Sequence, residues 1–149
     1  MDALLTTIVL WLSVNYNLPA VYEHPRVEFA PPQEIVAKRY AGLLARADIQ
    51  ADIASNGPSP LIAIYDFERR VVYLPQGWTG TSPAESSVLV HEMVHHLQNV
   101  GAMHFNCPEE REHMAYDAQE KWLGLMGRSL ETDFQLDRFT LLVKTRCLG

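Results

Sequence analysis

Cysteine is scarce: the 149 residues hold two, Cys107 and Cys147. That excludes a disulfide-dense scaffold and a four-cysteine structural zinc site. Basic clusters are missing as well. The net charge is −6 and no Lys/Arg-rich block occurs, so nucleic-acid binding has no electrostatic support. The apolar stretch from Ala3 to Val14 is too short to span a bilayer, which needs about 20 residues. Internal repeats and low-complexity tracts are absent. What remains is an ordinary globular composition, 48% hydrophobic and 20% charged. The length suits a single domain, residues 1–149, with a sizeable core.

One short segment carries chemistry. His91-Glu92-Met93-Val94-His95 reads H-E-x-x-H. On a helix, residues four apart lie one above the other. His91 and His95 can then reach one zinc ion, with the Glu92 carboxylate held beside them. Random ordering of the chain's 6 His among its other residues would produce the pattern roughly 0.02 times, and its meaning depends on a helical context. That context is present. Ser82 is the expected N-cap, Pro83 suits the first helical position, and Glu85 completes a capping box. Val88, Leu89, Val90, Met93, Val94 and Leu97 form a broad apolar surface, and Asn99 and Gly101 are stop signals. His96 points about 100° away from His95 and is not counted as a ligand.

A catalytic zinc needs a third protein ligand and an open position. After a break at residues 101–107 the chain restarts at Pro108, and the spacing predicts a helix to about Met126, stopped by Gly127. Its carboxylates are Glu109, Glu110, Glu112, Asp117 and Glu120. Acids are common in a first turn for dipole reasons alone, which weakens the case for Glu109 and Glu110. Glu112 lies one turn in and shares a face with Ala115 and Tyr116, where a small residue allows close helix approach. Glu112 is therefore the expected third ligand, Glu109 the next, with His104 and His113 as alternatives. The metzincin continuation H-x-x-G-x-x-H is absent, since His96-Leu97-Gln98-Asn99-Val100 follows His95.

At these residues the chain resembles the gluzincins, in particular their small single-core versions, the minigluzincins. It is also similar to a bacterial domain family of this size with a metallopeptidase-like motif. The resemblance covers about residues 61–126. It implies a zincin-like α+β fold: a small sheet or hairpin packed on the H-E-x-x-H helix, then a glutamate-bearing helix and a C-terminal helix. It also implies a third ligand in a pattern E-x-x-A-D. Glu112 and Ala115 match the first and fourth places, whereas Tyr116 stands where the Asp would be. That Asp steadies a zinc histidine, a role left to Asp117, Asp133 or Asp137.

The remaining architecture follows from local patterns. Residues 3–14 are expected to form an amphipathic helix burying Leu4, Leu5, Ile8, Trp11 and Leu12. No Lys or Arg precedes this stretch and no A-x-A cleavage site follows it, so it does not read as a signal peptide. A strand at 27–29, a helix at 34–47 with Tyr40, Leu43 and Leu44 among its apolar positions, and a loop at 55–60 come next. Residues 61–65 and 71–74 then make a hairpin. A last helix is expected over 130–146, burying Phe134, Leu136, Phe139, Leu142 and Val143. Trp78 and Trp122 read as core or cleft wall. Cys107 and Cys147 lie at element ends, where a disulfide is expected over two free thiols. It would close a loop worth about 3–4 kcal/mol and imply an exported setting, periplasmic or secreted.

The chemistry implied is zinc-dependent hydrolysis of a peptide or protein substrate. Zinc held by His91, His95 and Glu112 activates a water, and Glu92 acts as general base and then general acid. Tyr116, His104, His113 and Tyr73 are candidates to stabilise the oxyanion, Tyr116 being carried forward. A free edge on the hairpin's second strand could pair with an extended peptide. The alternative is a non-catalytic zinc-binding or partner-binding module on the same fold.

Overall fold

The computed structural model describes residues 1–40 and 61–147. Among these residues it is an α+β domain of six helices and three strands. In chain order they are α1 (Asp2–Tyr16), β1 (Arg26–Ala30), α2 (Pro32–Tyr40), β2 (Ile64–Asp66), β3 (Val71–Pro75), α3 (Pro83–Val100), α4 (Pro108–Gly124), α5 (Leu130–Phe134) and α6 (Arg138–Thr145). The part of the expected 34–47 helix beyond Tyr40, with Leu43 and Leu44, and the 55–60 loop lie outside the described residues.

The sheet order is β1-β3-β2, with β1 parallel and β2 antiparallel to β3. Alternation along β3 divides the core. Val72 and Leu74 join the large cluster built on α1 and α3, while Val71 and Tyr73 pack with Ala30 and Ile35 on the other side. Two expectations are corrected here. β3 is paired on both sides, so its edge is not free for a peptide. Tyr73 faces away from α3, with Lys38 Nζ 4.6 Å from its ring centre, and cannot serve an oxyanion beside that helix. β2 is also shorter than the 61–65 run. The turn after it is held by Asp66 Oδ1, which accepts from the backbone N–H groups of Glu68 and Arg69, both at 3.0 Å.

α1 buries Leu5, Ile8, Val9 and Leu12, the expected stripe with Val9 added and Leu4 and Trp11 partly buried. α3 runs through the centre: every residue from Ser86 to Gln98 is buried. Its start is over-determined. Ser82 Oγ accepts from Glu85 N–H at 3.0 Å, and Glu85 accepts from Thr79 N–H at 3.0 Å. Those bonds, the Thr79 backbone donor foremost, hold the Glu85 carboxyl below its ordinary range. Trp78 Nε1 donates to Glu85 O at 2.9 Å. Gly80 adopts φ +78°, and a Cβ there would stand 2.7 Å from the Trp78 ring, so this loop requires glycine.

The single helix expected over 130–146 is two helices. Gln135 takes the left-handed conformation at φ 55° and ends α5. Asp137 then caps α6, accepting from Thr140 N–H at 2.7 Å. A polar capping residue inside an apolar pattern overrides the pattern. Phe139, Leu142 and Val143, expected in the core, are 73%, 42% and 49% exposed, while Leu130 is fully buried and Phe134 partly so. Among the described residues no helix is long and apolar enough to cross a membrane.

Cys107 and Cys147 form the expected disulfide, their Cα atoms 5.8 Å apart. It joins Cys147, two residues past the end of α6, to Cys107, the N-cap of α4, across 40 residues. Removing it should cost about 3–4 kcal/mol through the unfolded chain. Thermal scans of the intact protein and of a Cys107→Ser/Cys147→Ser variant should differ by on the order of 10 °C. An unchanged midpoint would contradict a native tether.

Candidate metal centre

α3 and α4 approach closely because Ala115 and Ala118, both fully buried, face the core that α3 fills. On α4 the positions 112, 115, 116 and 119 share one face. The close packing carries Glu112 onto the two histidines of α3. His91 Nε2 lies 2.8 Å from Glu112 Oε2, and His95 Nε2 lies 3.0 Å from Glu112 Oε1. The two imidazole centroids are 5.1 Å apart. One ligand atom from each of the three residues falls within 4.8 Å of the others. The histidine side chains are almost wholly buried and that of Glu112 is 28% exposed.

The electrostatics are those of a tightly coupled cluster. Burial alone would push the Glu112 carboxyl up, but the imidazoles of His91 and His95 hold it well below the usual carboxylate range. Burial alone would push His95 down, yet the Glu112 carboxylate raises it, helped by Glu92. Two imidazole nitrogens and a carboxylate in this arrangement can hold a divalent metal ion.

Each imidazole is gripped on its far side. His91 Nδ1 lies 2.9 Å from Gln119 Oε1, and His95 Nδ1 lies 3.0 Å from Gln98 Oε1. A metal-binding histidine is usually oriented by such an acceptor on its other nitrogen. The expected orienting acids are engaged elsewhere. Asp117 accepts from Tyr16 O–H at 2.6 Å, Asp133 pairs with Arg128, and Asp137 caps α6. The Tyr16 hydroxyl is pushed well above its ordinary value by burial and by Asp117.

Glu92 is 5% exposed and adjoins His91 on α3. Tyr116 is half-buried, its ring meeting the His91 ring edge-on at 4.6 Å, so it borders the triad. Phe67 packs 5.8 Å from the His95 ring. The other candidate ligands are not brought in. Glu109, His104 and His113 are exposed, and Glu110 accepts from Asn106 N–H at 2.8 Å ahead of α4. His113 instead lines a groove of about 650 Å³ between α4 and α6 that also reaches Tyr116.

Residues 1–148 match a family described as a domain of unknown function, DUF6647. The chain belongs to the DUF6647 family. No curated protein and no solved structure matches it.

Two residues of this DUF6647 chain escaped the sequence reading: Gln98 and Gln119. Their signal was positional. Gln119 lies seven residues after Glu112 and so on the same helix face, and Gln98 lies three after His95. A neutral carboxamide lacks the charge that marks an acid as a partner for an imidazole. His96, set aside for its direction, is buried and bonded through Nδ1 to Tyr65 Oη at 2.9 Å, which fastens α3 to β2. Trp122 donates through Nε1 to Ser86 Oγ at 2.9 Å and packs edge-on against Trp11, a core role.

Proposed function

We propose that this chain is a zinc-dependent, gluzincin-like metallopeptidase. The observation that carries the reading is the convergence of His91, His95 and Glu112 within 4.8 Å, beside a buried Glu92. An N₂O donor set of two imidazoles and one carboxylate suits zinc and matches catalytic rather than structural sites. A structural site would need a fourth protein ligand. Cys107 is held in the disulfide, and the group among the described residues comprises three side chains. When bound, zinc supplies the Lewis acidity that lowers the pKa of a water toward ~7 and polarises the scissile carbonyl.

The protein's own residues do the rest. Glu92 accepts the proton from the attacking water on its carboxylate and returns it to the leaving amine. Tyr116, at the margin of the triad, donates its O–H to the developing oxyanion. The substrate is a peptide or protein, and the disulfide supports a periplasmic or secreted setting.

An internally quenched peptide library tests this reading. Cleavage should be lost on treatment with a zinc chelator and regained on addition of one equivalent of zinc. Fully zinc-loaded protein that cleaves no member of the library would contradict it.

A further inference from the structure

We infer that Gln98 and Gln119 are positioning residues: a pair of neutral carboxamides that locks both imidazoles with hydrogen on Nδ1, presenting Nε2 to the metal. This rests on the proposed metal site and concerns what sets its ligand geometry.

The assignment follows from where the amide hydrogens must go. Gln98 Nε2 donates to the Arg111 carbonyl at 3.1 Å. A carbonyl only accepts, so the amide cannot be turned around. Gln98 Oε1 then faces His95 Nδ1, which must carry hydrogen. The second relay reaches the same result by another route. Ser87 Oγ donates its one hydrogen to Ala84 O at 2.8 Å. Its lone pairs are left for Gln119 Nε2 at 3.2 Å, and Gln119 Oε1 faces His91 Nδ1. Gln98 is 1% exposed and Gln119 is 3% exposed, so water cannot readily replace either bond.

The two relays cross the helix interface in opposite directions. Gln98 belongs to α3 and is anchored on α4, whereas Gln119 belongs to α4 and is anchored on α3. The packing that delivers Glu112 therefore also aims both histidines. Neutral acceptors leave the imidazoles less basic than carboxylate partners would. The two positions differ in one respect. A carboxylate at 98 would face the Arg111 carbonyl, acceptor against acceptor. At 119 it would face a hydroxyl that can turn its hydrogen round.

Zinc affinity, measured by competition with a fluorescent chelator, tests the assignment. Gln98→Met and Gln119→Met keep the volume and remove the acceptor, and each should weaken binding about 10–100-fold. Gln119→Glu should bind at least as tightly as wild type, and Gln98→Glu more weakly. A packing role alone would not separate the two Glu variants. Nitrogen-15 NMR of the zinc-loaded wild type should show hydrogen on Nδ1 of both rings, a readout that survives if a variant fails to fold. Equal affinity in wild type and both Met variants, or ligation through Nδ1, would overturn the assignment. A wild type that binds no zinc would instead overturn the metallopeptidase reading itself, and this assignment with it.

Discussion

Replacing Glu92 with Gln should lower peptide hydrolysis about 100- to 10,000-fold, the range that a positioned general acid–base supplies. Zinc should remain bound at close to one per chain. The change keeps the size of the side chain and removes only its capacity to take a proton. Glu92 sits in the middle of α3, 5% exposed, within the run from Ser86 to Gln98 whose residues are all buried. Its position is set by the same turns that set His91 and His95, so the variant should fold and bind as the parent does. The check is kcat beside zinc content on one preparation. Undiminished activity in a zinc-loaded Glu92→Gln protein would remove Glu92 from the mechanism.

Replacing Glu112 with Ala should weaken zinc binding by more than the roughly 10–100-fold that loss of an outer partner costs. Here a ligand is lost rather than its support. Glu112 is the contribution of α4, and it bridges both imidazoles at 2.8 and 3.0 Å. Glu109→Ala is the matching control. It lies one turn earlier on α4, in the first turn, where its exposed carboxylate is favoured by the helix dipole. Zinc titration of the two variants should separate them by at least about 100-fold. Equal affinities would move the third ligand off Glu112.

Much of the site was legible in sequence because its parts are local. The capping box at Ser82, the four-residue histidine spacing and the position of Glu112 one turn into a Pro-started helix each depend on a few neighbours. What escaped depends on contacts across the chain. Gln119 reaches His91 over 28 residues, and no local pattern distinguishes a carboxamide that grips an imidazole from one that meets solvent. The sequence pattern gives β3 as half of a hairpin with a free edge, but the parallel partner β1 lies more than 40 residues earlier in sequence, and parallel pairing has no turn signature. The last helix failed for the opposite reason. Its apolar spacing suggested one buried element, while Gln135 in the left-handed conformation and the Asp137 cap divide it and leave Phe139 in solvent.

Elemental analysis of tag-free protein that has never met a chelator tests the central claim most directly. The account predicts about one zinc per chain. Protein that holds no zinc, even after zinc is supplied in excess, would mean that His91, His95 and Glu112 converge for another reason and that the peptidase assignment is wrong.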